Sequence, residues 1–170
     1  KFKEPGAILM QVLALPIGFI LAGSIAYGWL KLAPAQLSFN PLVLLLLFIL
    51  LIPIHEFIHL LVHPKAGWTK SSIAGVWPSR LLFYAHFIDP LPRNRLLAIL
   101  IAPLIVLSLL PFLACVSLSI NSGTLFLFAV LNALSACGDV FACLLILIQV
   151  PSGSQICNQG YWSYWKSDPE

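Results

Sequence analysis

The chain has 170 residues, of which 60% are hydrophobic and only 9% are charged, and its formal net charge is +3. This composition leaves too little polar surface to cover a water-soluble globule. The small net charge also excludes a general attraction to nucleic acid. The sequence therefore predicts that a lipid bilayer is the solvent of the folded chain.

Four apolar runs are each long enough, at about 20 residues, to cross a bilayer as a helix. They cover about residues 8–30, 42–62, 96–119 and 124–150. The segment from His63 to Arg95, between the second and third runs, mixes polar and apolar residues, which predicts a membrane-edge loop or short β-hairpin. We therefore expect an all-α integral membrane protein with about four transmembrane helices, in a single domain over residues 1–170.

The distribution of aromatic and basic residues predicts how the helices are oriented. The polar tail, residues 151–170, carries four rings that suit the headgroup region of a membrane: Tyr161, Trp162, Tyr164 and Trp165. With four crossings, both termini and the middle segment share one side, and every Lys and Arg except Lys31 lies there, Arg80 included. The positive-inside rule therefore predicts that both termini are cytoplasmic.

The second apolar run contains an HExxH sequence, His55-Glu56-Phe57-Ile58-His59. On a helix, residues four apart project from one face, so the two imidazoles are spaced as ligands of a tetrahedral zinc ion. Glu56 lies beside them and can accept a proton from a water that the metal polarises. Because such groups cost several kcal/mol in hydrocarbon unless bound or paired, the motif indicates a functional zinc site.

A third protein ligand is expected from the fourth run, where Asp139 is the one acidic residue. Asn132 lies seven residues earlier and would share a helical face with it. Asp139 could instead pair with an Arg or cap a backbone break near Gly138, but no basic residue lies in a run at matching depth. His63 is the rival ligand, although it precedes Pro64, which tends to end the helix.

Other polar residues each allow two interpretations. His86 could stabilise an oxyanion or orient a substrate, or it could be a surface residue at headgroup level. Asn132 could bind a substrate peptide group or only join two helices. Pro53 removes a backbone donor two residues before His55, and it either opens the helix for hydrolysis or serves as a packing kink.

The HExxH segment together with Asp139 on a later run resembles the site-2-protease-like intramembrane zinc metalloproteases. Within that group the chain is most similar to a small bacterial family of putative zincin peptidases, through the segment from Ala85 to Leu91, Ala102-Pro103 and the segment from Asn132 to Asp139. The resemblance implies metal ligation by His55, His59 and Asp139, catalysis by Glu56 and a bacterial cell membrane as location. The usual motif of that group has Asn-Pro before Asp-Gly, whereas here Ala follows Asn132 and Gly138 precedes Asp139.

These observations predict a zinc-dependent, membrane-embedded endopeptidase that hydrolyses a peptide bond in a membrane-associated protein or peptide. The scissile segment should be extended, because a helix shields its own peptide bonds, and the middle segment could bind it as an added strand. One alternative is a catalytically inactive metal-binding membrane scaffold or sensor, which would not need Glu56. Another is a small ion transporter, although only the second and fourth runs carry acidic or His groups.

Overall fold

The four apolar runs form helices in a computed structural model of the protein, which describes residues 2–33, 41–77, 82–159 and 162–167. The first two runs form α1 (Ala7–Leu32) and α2 (Pro41–Val62), while the third forms α3 (Arg93–Leu104), a π turn (Ile105–Leu109) and α4 (Leu110–Ser117). The fourth run is divided into α5 (Gly123–Ser135) and α6 (Cys137–Gln149).

The lengths of these helices agree with the predicted fold class. In the part of the chain that the structure describes, α1, α2 and the α3–α4 unit are each long and apolar enough to cross a membrane. The α5–α6 pair meets the same test as a broken span with a bend of 43°. The prediction of an all-α membrane protein with about four spans is confirmed, but the fourth span is not one continuous helix.

The middle segment contains the predicted β-hairpin. Strand β1 (Ser72–Trp77) pairs antiparallel with β2 (Leu82–Phe87), and Ala74 lies opposite Ala85. The ring of His63 lies just beyond the end of α2 and contacts both strands, because it stacks edge-on against Phe87 and its Nδ1 lies 3.2 Å from the Ser72 hydroxyl. The hairpin is therefore held against the end of α2 that follows the HExxH motif.

A second sheet forms at the same end of the bundle and was not predicted. Strand β3 (Leu91–Pro92) pairs with β4 (Gln155–Gln159), which pairs with β5 (Trp162–Lys166), all antiparallel. The tail was expected only to anchor the chain at the membrane interface, and that role stays a prediction. Its polar strand β4 gives little hydrophobic alternation, and its partner β3 is distant in sequence. Tyr161 and Arg80 lie outside the described residues.

The two ends of the described chain meet at this sheet. The backbone N–H of Phe2 donates to the carbonyl of Ser163, and the Glu4 carboxylate accepts hydrogen bonds from the backbone and hydroxyl of Ser163. The backbone of Lys3 exchanges two hydrogen bonds with the side chain of Gln149 at the end of α6. Both ends of the described chain and both sheets therefore lie at one end of the helix bundle, as an even number of crossings requires.

Helix α1 packs closely against the break between α5 and α6. A Cβ atom added at Gly18 would lie 2.9 Å from the carbonyl oxygen of Leu134 and 2.9 Å from the Cβ of Cys137. Real Cβ atoms do not approach neighbours so closely, so only glycine allows α1 to lie against this backbone. The contact lies at the break, which comes two residues before Gly138 and three before Asp139.

We expect Gly18→Ala and Gly23→Ala to shift stability in opposite directions. Both residues lie in α1, but an added Cβ at Gly23 would meet nothing within 4 Å. Gly23→Ala should therefore stabilise the helix by up to about 1 kcal/mol, because alanine has less conformational entropy than glycine in the unfolded chain. Gly18→Ala should destabilise the fold through overpacking. Thermal unfolding of the purified variants in detergent measures both effects. Equal shifts in the two variants would contradict the close approach at Gly18.

Candidate metal centre

Two histidines and one aspartate converge inside the bundle, near the end of α2. His55 and His59 lie one turn apart on α2, both are buried, and their ring centroids are 4.9 Å apart. Asp139 lies in the first turn of α6, where its Oδ2 is 2.9 Å from His55 Nε2 and 3.5 Å from His59 Nε2. One ligand atom from each of the three residues lies within 4.8 Å of the others.

The position of Asp139 depends on the break in the fourth span. Helix α5 ends at Ser135, Ala136 adopts φ −70° and ψ 4°, and α6 begins at Cys137. The sequence predicted that Asn132 and Asp139 share one face of a continuous helix, but the axis bends between them. The bend places Asp139 at the N-terminal end of α6, where the helix dipole stabilises a carboxylate.

The second ring nitrogen of His55 is held by Asn132. The amide nitrogen of Asn132 donates to the carbonyl of Pro103 and lies 2.9 Å from the hydroxyl of Ser108. Because the Pro103 carbonyl can only accept, the other amide atom of Asn132, which lies 2.9 Å from His55 Nδ1, must be its oxygen. His55 therefore donates through Nδ1, and its Nε2 keeps a lone pair facing Asp139.

The second ring nitrogen of His59 is held by a backbone carbonyl that a proline leaves free. Pro103 lies inside α3 and has no N–H, so the carbonyl of Ile99, four residues earlier, lacks its usual helical donor. His59 Nδ1 lies 2.8 Å from that carbonyl and must donate to it. The Nε2 of His59 is therefore also left with a lone pair that faces the Asp139 carboxylate.

The donor set fits a metal cation. Three electron-rich atoms, two Nε2 and one Oδ2, face one another without a hydrogen between them, an arrangement that repels unless a cation or protons lie among them. Ligands about 2.0–2.1 Å from a tetrahedral zinc ion lie roughly 3.3–3.5 Å apart, close to the separations of 2.9 and 3.5 Å here. Imidazole and carboxylate are also ligands that zinc prefers.

Glu56 lies beside this group but points to a different neighbour. The half-buried carboxylate faces the backbone N–H of Ala85, in the middle of β2. Among the described residues, the three-ligand group consists of His55, His59 and Asp139 without Glu56. The side chain is therefore left free of ligation and can act as a base for a group bound at the metal.

Two cavities meet at Glu56 and Asp139. The wide cavity has a volume of about 620 Å³ and lies between the first half of α1, the end of α2 and the α5–α6 break. The narrow cavity has a volume of about 180 Å³ and lies between α2, β2 and the start of α3. Phe83 of β2 lines both, so a peptide that crosses the metal centre could extend from one cavity into the other.

The outer edge of β2 faces this centre. The N–H of Ile88 donates to the carbonyl of Ser71 directly opposite, so hydrogen-bonded pairs alternate from there along the hairpin. By this alternation the N–H and C=O groups of Phe83, Ala85 and Phe87 point away from β1. The contact between Ala85 N–H and Glu56 agrees with that assignment.

His63 and His86 are not brought to the metal-facing atoms. His63 holds the hairpin, as described above, and burial, followed by the proximity of His59, His86 and Arg95, lowers its pKa to about 4. His86 is one residue out of phase with Ala85 on β2, so its ring faces away and contacts the backbone of Asn158. Burial lowers the pKa of His86 as well.

Three groups that complete this centre were missed in the sequence: the carbonyl of Ile99, the N–H of Ala85 and the hydroxyl of Ser108. Pro103 carried a signal for the first, because a proline within an apolar run frees the carbonyl four residues before it. Ser108 carries no comparable signal. It lies in the π turn, and its hydroxyl donates a hydrogen bond of 2.7 Å to the carbonyl of Ala129. The contacts of the Ala85 N–H and the Ser108 hydroxyl are visible only in the folded chain.

Comparison with known families supports the chemistry of this centre. The profile of the family described as "Putative zincin peptidase" matches residues 48–155, which is more than half of the chain and includes both histidines, the hairpin and Asp139. No curated protein and no solved structure matches the chain. The chain therefore belongs to this zincin-like peptidase family, whose description implies a zinc metallopeptidase.

Proposed function

We propose that the protein is a membrane-embedded zinc endopeptidase of the site-2-protease-like type, which cleaves a peptide bond in a membrane-associated protein or peptide. The observation that carries the proposal is the convergence of two Nε2 lone pairs and one carboxylate beside a glutamate that is not part of the ligand group. A scaffold or sensor would need the three ligands but would have no use for Glu56.

In this proposal His55, His59 and Asp139 hold zinc. Three protein ligands leave one tetrahedral position open, which is typical of catalytic rather than structural zinc sites. Zinc bound there would supply Lewis acidity, which polarises the scissile carbonyl and makes the attacking water more acidic. Asn132 and the Ile99 carbonyl hold both histidine rings in the tautomer that presents Nε2, a role that second-sphere groups commonly have.

Glu56 is assigned the proton transfers. It is next to His55 in sequence, lines both cavities and is half-buried, so it lies beside a group bound at the metal centre. It would accept a proton from the attacking water and then donate it to the amine that leaves. The N–H of Ala85 would hold the carboxylate in position between these two steps.

The substrate is proposed to bind as an extended strand along β2. The outward N–H and C=O groups of Phe83 and Phe87, together with the C=O of Ala85, can pair with a peptide, and the described part of the chain places no third strand against them. Such pairing would expose the scissile bond, which a helix would shield. The positive-inside rule would put this end of the bundle, with both termini, on the cytoplasmic side.

We expect purified wild-type protein to contain about one zinc ion per chain, as a three-ligand site requires. Glu56→Gln and His63→Ala should keep the zinc, while Asp139→Ala should lose it. Asn132→Leu should weaken zinc affinity by about 10- to 100-fold, because it frees the His55 ring. Elemental analysis and competition with a chelator measure these changes.

His63→Ala is the matched control in this series, since it removes another buried histidine side chain, one turn beyond His59. Loss of zinc in His63→Ala but not in Asp139→Ala would move the third ligand to His63. Wild-type protein that stays free of zinc after purification without chelator and repletion would contradict the metal site itself.

We expect Glu56→Gln to abolish cleavage while zinc stays bound. Removal of a general base typically costs about 10²- to 10⁴-fold in rate. The zinc-loaded protein in detergent is incubated with a peptide library made from digested bacterial membrane proteins, and new N-termini are identified by mass spectrometry. Cleavage at an undiminished rate by Glu56→Gln would refute the role of Glu56 and favour a different base.

Strand addition predicts where a bound substrate touches the enzyme. A photoreactive phenylalanine analogue replaces Phe83 in protein that also carries Glu56→Gln, so that the bound peptide is not cleaved. This protein should crosslink to a library peptide that the wild-type enzyme cleaves. The same analogue in place of Phe19, an exposed residue of α1, should not crosslink. Crosslinks at Phe19 but not at Phe83 would place the substrate along α1 and contradict pairing with β2.

A further inference from the structure

The narrow cavity has a polar end at the metal centre and an apolar wall away from it. Glu56, His59 and Asp139 form the polar end. The apolar wall comes from β2, β3 and the first turns of α3 and consists of Phe87, Leu91, Leu96, Ile99 and Leu100. His63, Tyr84 and Asn158 also line the cavity. We propose that this cavity is a specificity pocket that receives one medium-sized apolar side chain of the substrate, next to the scissile bond, an inference that rests on the proposed peptidase function.

The wall of the pocket is rigid. Phe87, Leu91 and Ile99 are at most 8% exposed and form one packed cluster, against which Leu96 lies. The ring of His63 contacts Phe87 edge-on, and Ile99 is held through the hydrogen bond from His59 to its carbonyl. Because packed walls do not expand freely, the pocket should distinguish side chains by size.

The volume of the narrow cavity, about 180 Å³, fits a single side chain. It equals the space of roughly six water molecules in the liquid, and it lies below the 300–1,000 Å³ or so of a pocket for a whole small molecule. A leucine, methionine or phenylalanine side chain fits within it, whereas a fused aromatic ring system would need the whole volume and leave no room for close packing. A charged side chain would lose its hydration without gaining a partner from the apolar wall.

The strand geometry directs a substrate side chain into this space. A peptide paired with the outer edge of β2 would place one side chain beside Ala85, on the same face of the sheet. Ala85 lines the narrow cavity, and its methyl group leaves the mouth of the cavity open. On the other side of the metal centre the wide cavity, of about 620 Å³, imposes no comparable limit on size.

The pocket can be tested by ligand binding without any substrate. Zinc-loaded protein in detergent is titrated with peptide hydroxamates, which bind zinc and differ only in the side chain next to the hydroxamate: hydrogen, methyl, isobutyl, benzyl or naphthylmethyl. Calorimetry should show tightest binding with isobutyl or benzyl and at least about tenfold weaker binding with hydrogen and with naphthylmethyl.

Two variants should shift this preference in opposite directions. Leu100→Ala enlarges the pocket and should move the optimum to naphthylmethyl, while Ala85→Val narrows the pocket and should move it to methyl. Leu61→Ala makes the same change as Leu100→Ala, but on an exposed face of α2, and should keep the wild-type optimum. Ala85→Val keeps the test decisive if Leu100→Ala does not fold.

The proposal would be overturned if the hydroxamates did not bind, if all five bound equally, or if neither pocket variant moved the optimum. It would also be overturned if Leu61→Ala shifted the optimum as much as Leu100→Ala. Selective hydroxamate binding without cleavage that depends on Glu56 would support the pocket and contradict the proposed peptidase function. Cleavage that depends on Glu56 with no side-chain preference would contradict the pocket alone.

Discussion

The orientation of two imidazole rings is the constraint on which the rest of the centre depends. His55 and His59 each use Nδ1 to donate to an oxygen, one from Asn132 and one from the backbone of Ile99. Only with both protons on Nδ1 do the two Nε2 atoms present lone pairs to the Asp139 side. If either ring rotated, a buried N–H would face the carboxylate as a hydrogen-bond donor, and the group would satisfy itself without a metal.

Departures from regular helix geometry supply the groups that impose this constraint. Pro103 frees the Ile99 carbonyl, and the π turn that follows places Ser108 within 2.9 Å of the Asn132 amide. The break at Ala136 then directs Asp139 toward the histidines. An apolar bundle of regular helices would satisfy its backbone internally and have no polar groups left for a second sphere. The irregular turns are therefore the source of the polarity of the centre.

The sequence predicted best those features that depend on residues close together along the chain. The HExxH spacing and the single acidic residue of the fourth run indicated the three residues that the structure brings together. The four helical spans and the β-hairpin followed from run length and composition. Each of these signals lies within one element, so no knowledge of tertiary packing was needed.

Features that depend on contacts between distant elements could not be predicted in this way. The pairing of β3 with β4 joins segments more than 60 residues apart, and the bend at Ala136 depends on close packing with Gly18. The position of His86 depended on one residue of register: on β2 it alternates with Ala85, so its ring faces away from the metal centre. A one-residue shift in a strand exchanges its faces, and composition does not specify that register.

Helix α1 contributes no ligand, yet the centre depends on its position. It packs on α5 and α6 through the contact at Gly18, and its first half leaves the wide cavity between itself and α2. The same helix therefore supports the break that carries Asp139 and borders the space through which a membrane segment would reach Glu56. Movement of α1 that admitted a larger substrate would also relax its support of Asp139. Access to the proposed site and the geometry of its ligands are thus coupled through one helix, which favours a substrate that enters as a thin extended chain.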